Sequence, residues 1–191
     1  MSKYFIGFML PKEAVGPLSN LQKRVEGILR ATREVGDVVV THGNSPLHIT
    51  FVPPFTLHER RAHDALERDM NTFLGRAKSV HVSLVGLVST PDMIYTRVHT
   101  SCFEPLRLLR EELRFYTKNV PFDSEFTPHV SLARKFDQKN LLRIIRAFDE
   151  ANHEESPFPL SFELDALTLF RKDSDIWKPE RTIHFARRCA A

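Results

Sequence analysis

Two short stretches hold the residues best suited to chemistry: Pro46-Leu47-His48-Ile49-Thr50-Phe51 and Pro128-His129-Val130-Ser131-Leu132-Ala133. In each, a histidine is followed two positions on by a hydroxyl residue, within a run of strand-forming types. Side chains of a strand alternate between its faces with period 2. His48 and Thr50 therefore share one face, with Ile49 and Phe51 on the other. His129 and Ser131 pair in the same way, with Val130 and Leu132 behind them. A face carrying two imidazoles and two hydroxyls is poorly explained as core. Imidazole, whose ordinary pKa is roughly 6.5, gives or takes a proton near neutral pH. Two imidazoles on opposite sides of a cleft supply a general base and a general acid, and the hydroxyls hydrogen-bond an oxyanion held between them. In-line displacement at phosphorus needs this set: base beside the nucleophile, acid beside the leaving oxygen, donors on the non-bridging oxygens. No metal is required.

Something must hold two such strands opposite each other. Lys3 to Leu10 reads as a buried strand, and Leu18, Leu21, Val25, Ile28 and Leu29 place a helix between Pro11 and about Arg33. A short strand is expected over Asp37 to Thr41, and the turn residues His42 to Pro46 lead into the first histidine strand, which Pro53-Pro54 is expected to end. A second helix follows from about His58 to Leu74. Ser79 to Ser89 and Met93 to His99 form a hairpin, with Tyr95 and His81 placed either along the cleft or, the favoured reading, at the surface. Phe103 to Tyr116 is a third helix, and a loop rich in Pro, Phe and Asp delivers the chain to His129. Asp137 to Asn152 is a fourth helix. Phe158 to Phe170 and Ile176 to Phe185 are the last strands, joined across Lys172-Asp173-Ser174. Four helices and seven or eight strands in mixed order indicate an α+β domain. Each histidine strand follows a proline-containing loop and precedes an amphipathic helix, which predicts two pseudo-symmetric lobes facing each other across a cleft.

Composition sets the limits. A chain of 191 residues, 42% hydrophobic, is read as a single domain over 1–191 with a sizeable core. A formal net charge of +3 tolerates a polyanionic partner without demanding one. Cys102 and Cys189 have neither metal-binding nor redox spacing, so reduced thiols are expected. The apolar run Tyr4 to Leu10 is too short to span a membrane, and a cytoplasmic protein without a membrane partner, monomeric by default, is the expectation. His58 and His63 sit five apart, roughly 140° around a helix, where a shared metal needs i and i+4. His42, His99, His153 and His184 belong to no pattern.

Taken together, the two motifs make the sequence resemble the 2H phosphoesterase superfamily, in particular its 2′-5′ RNA ligase-like branch. The resemblance runs through nearly the whole chain. Tyr4-Phe5-Ile6-Gly7-Phe8-Met9-Leu10-Pro11 is similar to that branch's first strand, the two stretches above to its two motifs, and Leu167-Thr168-Leu169-Phe170-Arg171 to its late strand. Ser131 stands where threonine is commoner, and Val52-Pro53-Pro54-Phe55 replaces a Phe-Leu-Gly-like turn. The resemblance implies a bilobal α+β fold with antiparallel-rich sheets around a central cleft, helices outside, and no cofactor. It implies metal-independent chemistry on 2′,3′-cyclic phosphates or 2′-5′ linkages of RNA ends or small cyclic nucleotides. His48 and His129 become the acid/base pair and Thr50 and Ser131 the phosphate ligands. Arg134 and Lys135 are candidate phosphate contacts, and Phe55, Phe126 and Trp177 candidate stacking surfaces for a base. A non-catalytic nucleotide- or RNA-binding module and an enzyme for another small cyclic phosphate are the alternatives.

Overall fold

In the computed structural model, which describes residues 2–31, 45–58, 60–117, 120, 122, 125–134, 140–174 and 176–186, the N-terminal apolar run forms β1 (Ser2–Met9). Leu18, Leu21, Val25 and Leu29 recur at helical spacing and are buried along one stripe of α1 (Lys12–Ala31). The first histidine stretch opens β2 (His48–Leu57), followed by α2 (Arg60–Leu74) and the hairpin β3 (Val80–Thr90) and β4 (Met93–Val98). α3 (Phe103–Tyr116) leads to β5 (His129–Arg134), α4 (Leu141–Glu154), β6 (Leu160–Leu164), β7 (Ala166–Asp173) and β8 (Ile176–His184). The expected strand at Asp37–Thr41, His42, Lys135 and Cys189 lie outside the described residues.

The eight strands form one antiparallel sheet, curled as a half-barrel, in the order β6-β3-β4-β5-β2-β1-β7-β8. Both histidine strands are central, and they touch in register at Ile49↔Val130. The sheet thus reads as two four-stranded halves, β2-β1-β7-β8 and β5-β4-β3-β6, joined at that pair. The halves match residue by residue. Leu10 N donates to Leu47 O at 3.1 Å, and Val98 N to Pro128 O at 3.2 Å. Phe8 pairs with Ile49 as Thr96 pairs with Val130, and Ile6 with Val52 as Ile94 with Ala133. The residue after the hydroxyl in each histidine strand, Phe51 in β2 and Leu132 in β5, is skipped by its neighbour's register and forms a β-bulge. The core lies on one face of the sheet, where Ile6, Phe8, Ile49, Val130 and Leu132 meet Leu18, Leu106 and Phe148 of the helices.

Two elements depart from expectation. β2 runs through Pro53-Pro54 to Leu57 instead of ending there. Proline has no N–H for a ladder, and here none is asked of it: Tyr4 pairs with Phe55 and Ile6 with Val52, so both prolines bulge opposite Phe5. The stretch read as one strand from Phe158 to Phe170 is two. β6 pairs with β3 in one half, whereas β7 pairs with β1 and β8 in the other. Asp165 marks the break, its carbonyl accepting from Phe185 N at 2.7 Å. Across it the positions that join the helix-side core change parity, from Phe162 and Leu164 to Leu167 and Leu169, while Thr168 and Phe170 are buried as well.

Candidate active site

Ile49 and Val130 are completely buried on the helix side, so their strand neighbours point to the opposite face. The antiparallel register at Ile49↔Val130 sets His48 against Ser131 and Thr50 against His129 across the junction. Four polar side chains, two from each half, are gathered on one face. Directly opposed residues of an antiparallel pair have Cβ atoms about 4.5–5.5 Å apart.

Both imidazoles are held by the same device. His48 Nδ1 lies 2.6 Å from Pro46 O and His129 Nδ1 lies 2.8 Å from Thr127 O. A carbonyl oxygen can only accept, so each Nδ1 carries the proton and each Nε2 is left for chemistry. Burial pushes the pKa of both rings below the ordinary 6.5; the carbonyl bonds oppose this, while the positive charge of Arg134 adds to it. His129 itself depresses His48 further. Neutral imidazoles at neutral pH follow.

The surroundings of the two rings differ. His48 packs against Phe5 (ring centroids 4.7 Å apart) and Phe170 (5.4 Å). Those phenyl rings stack on each other at 4.4 Å, and Trp177 closes edge-on against Phe5 at 4.8 Å. The backbone N–H of Trp177 donates to Ser45 Oγ at 3.1 Å, fastening the residue before Pro46, whose carbonyl orients His48. His129 instead packs against Tyr95, centroids 5.0 Å apart. Beside it the exposed Arg97 is its register partner on β4, and among the described residues the Arg97 guanidinium makes no ion pair or hydrogen bond. Arg134 donates from Nε to Ser131 Oγ at 2.9 Å, and that hydroxyl also reaches Met93 Sδ at 3.3 Å. Thr50 is the register partner of Gly7, where an added Cβ would stand 2.8 Å from Ile49 O. The chain thus comes close beside Thr50, as only glycine permits.

Of the residues singled out by sequence, His48, Thr50, His129, Ser131 and Arg134 come together, with Trp177 one ring away. Phe55 and Phe126 do not join them. Phe55 is buried in the helix-side core with its ring stacked on Tyr4 at 6.2 Å, and Phe126 packs edge-on against Phe51 at 5.7 Å. Lys135 lies outside the described residues. Of the two placements open to the hairpin, Tyr95 takes the one beside His129, while His81 is exposed and faces Glu163 at 3.1 Å. Phe5, Phe170, Gly7 and Arg97 were not anticipated; each reaches the site through cross-strand register, which a linear reading lacks.

The profile of one protein family, described as the 2′-5′ RNA ligase superfamily, matches residues 17–176. No curated protein matches the sequence. Solved structures share the fold across nearly the whole chain. TT0787 of Thermus thermophilus superposes with a TM-score of 0.63 at 17% identity, covering 97% of this chain and 99% of that one. E. coli LigT complexed with 3′-AMP gives 0.60 at 14% identity, covering 97% and 99%. Kluyveromyces marxianus Usb1 gives 0.57 at 16%, covering 96% and 98%. LigT has also been solved with ATP and with NADP+. No helix among the described residues is long and apolar enough to cross a membrane.

Proposed function

Because the chain belongs to the 2′-5′ RNA ligase superfamily, we propose that it opens 2′,3′-cyclic phosphates at RNA ends by metal-independent acid/base catalysis, with residues 1–191 acting as one catalytic domain. The observation that carries this reading is the duplicated clamp: two imidazoles, each with Nδ1 tied to the carbonyl two residues before it, on one face of adjoining central strands. A ring so fixed presents Nε2 alone, and two such nitrogens from opposite halves suit opposite sides of one phosphorus.

In the proposed step a water oxygen forms the new P–O bond while the bond to one ribose oxygen breaks. One imidazole, neutral, takes the proton from water at Nε2, while the other, in the molecules where it carries a second proton at Nε2, gives that proton to the departing oxygen, so charge balances over the step. Because burial lowers both pKa values, this singly protonated form is the minority one at neutral pH. By family resemblance the 3′-oxygen departs and a 2′-phosphate remains. Thr50 and Ser131 donate to the non-bridging oxygens, with Arg134 beside Ser131 adding positive charge where negative charge accumulates. Replacing water by a ribose 5′-hydroxyl makes the same step a ligation. The nucleotide-bound LigT structures support a nucleotide as the ligand here as well.

Purified protein in EDTA is expected to hydrolyse cyclic-phosphate-ended RNA to the 2′-phosphate. His48→Ala and His129→Ala should each lose about 10²–10⁴-fold in kcat, the usual contribution of a general acid or base. Turnover that survives both substitutions, or none by the wild type, sinks the proposal. Binding without turnover, retained in both variants, would point to a recognition module.

A further inference from the structure

Two long polar side chains, one from α1 and one from α3, are buried against the helix side of the sheet, and each has found a backbone partner there. Gln22 of α1 is 1% exposed, and its Nε2 donates to Leu132 O at 2.9 Å. Arg110 of α3 is 5% exposed, and its Nε donates to Phe51 O at 3.0 Å. Phe51 and Leu132 are bulged residues at equivalent places, each directly after a hydroxyl of the site. A bulge takes its residue out of the ladder, and a helix side chain takes up the carbonyl in both places. The match is positional as well. His48 and His129 are 81 apart, as are Phe51 and Leu132; Met9 and Arg97, their register partners on β1 and β4, are 88 apart, as are Gln22 and Arg110. One two-fold relation maps each donor onto the other and each carbonyl onto the other.

The donors cross the junction. α1 follows β1 in sequence but packs on α4 and touches β6, in the opposite half, and holds β5. α3 follows β4 but packs on α2 and holds β2. Arg110 also donates from Nη2 to Phe122 O at 3.2 Å, with its guanidinium 5.2 Å from the ring centres of both Phe122 and Phe126, on the approach to His129. Between the histidine strands themselves the described register is the single pair Ile49↔Val130.

We infer that Gln22 and Arg110 are paired positioning residues, which fix the two halves of the site relative to each other through the carbonyls of Leu132 and Phe51. The inference rests on His48, Thr50, His129 and Ser131 forming one site. Neither residue touches substrate; each acts through the strand it holds. A displacement of reacting groups by about 1 Å can cost 10²-fold in rate, so loss of either donor should appear in kcat.

The test compares wild type with Gln22→Leu, Arg110→Met and Arg110→Lys by three measurements. These are kcat and KM on cyclic-phosphate-ended RNA, affinity for inorganic phosphate, and NMR titration of the two imidazoles. Gln22→Leu and Arg110→Met should lower kcat about 10–100-fold with KM changed less than about threefold. Arg110→Lys, keeping charge and one donor, should recover part of the loss. The two imidazole titrations should move closer together in the variants as the rings separate. If Gln22→Leu or Arg110→Met does not fold, Arg110→Lys and Gln22→Asn carry the same comparison. Variants with lowered Tm but wild-type kcat, phosphate affinity and titrations would overturn the inference. Should wild type lack turnover, the reaction proposed above fails, and phosphate affinity with the titrations still decides the pair.

Discussion

Replacing Arg134 by Gln should move the whole pH profile of the enzyme upward. Arg134 lies on the Ser131 hydroxyl at 2.9 Å, and its charge bears on both imidazoles. Ser131 and His48 are cross-strand neighbours, which sets the guanidinium roughly 7 Å from the ring, given Cβ separations of about 5 Å. Arg134 is exposed, so water screens the pair and an effective dielectric constant of about 40–80 is appropriate; Coulomb's law then gives about 0.6–1.2 kcal/mol. At 1.36 kcal/mol per pH unit this is about 0.4–0.9 unit. The sign is fixed: removing a nearby cation stabilises imidazolium, so each pKa rises. The base is then lost at higher pH on the acid side, and the acid persists to higher pH on the alkaline side. Glutamine still reaches Ser131, so the hydrogen bond survives while the charge goes. The height of kcat/KM should also fall, by about 10–100-fold if a charged contact to phosphate is lost. Position along the pH axis is the diagnostic quantity, read from kcat/KM of the free enzyme and from imidazole NMR titration. Raised salt should move the wild-type profile the same way by screening. A profile of Arg134→Gln that stays put or moves down refutes the electrostatic assignment.

Gly7→Ala places a methyl 2.8 Å from Ile49 O and 3.0 Å from the Phe5 ring; overpacking of about 1–3 kcal/mol should lower Tm and disturb Thr50 enough to reduce kcat. Arg97→Gln should weaken cyclic-phosphate-ended oligonucleotides more than the mononucleotide 2′,3′-cyclic phosphate and flatten the salt dependence of the difference, because a longer strand offers further phosphates to this exposed cation. Equal effects on both substrates would remove Arg97 from the substrate path. Stability should fall as pH drops below about 6.5, because His48 and His129 have folded-state pKa values below that of the unfolded chain and the unfolded state takes up their protons first. Thermal melts across pH 7 to 5 measure this, and His48→Ala should diminish the slope.

Period-2 alternation made the candidate residues legible, because His48 and Thr50 share a face of one strand and His129 and Ser131 a face of the other whatever the strands' neighbours are. That the two faces lie on one side of the sheet comes from the Ile49↔Val130 register. Tyr95 and Arg97 were not legible in that way. They reach His129 by lying on the next strand in a particular register, and register is a property of two segments at once. Gln22 and Arg110 did leave a trace. Gln22 lies on the apolar stripe of Leu18, Leu21, Val25 and Leu29, and Arg110 on that of Leu106, Leu109 and Leu113. A polar residue inside such a stripe signals a buried partner, though not which one. The prolines of β2 misled because their usual cost presumes two ladders, and a bulge on one side removed the demand. The split at Asp165 left no clear signal, because Leu167 to Phe170 are buried without alternation, and only pairing shows that the two pieces belong to opposite halves.

The crossing of the helices bears on how the chain can fold. β1 needs β7 as a neighbour, Tyr4 meeting Arg171, and the apolar stripe of α1 waits for α4 and β6. Neither half can therefore be completed while the other is missing, and an N-terminal fragment ending before Ala166 would leave β1 with an unpaired edge, open to pairing with other chains. Contacts this distant in sequence make for slow, late consolidation, and unfolding should be a single all-or-none event in which both histidine strands are released together.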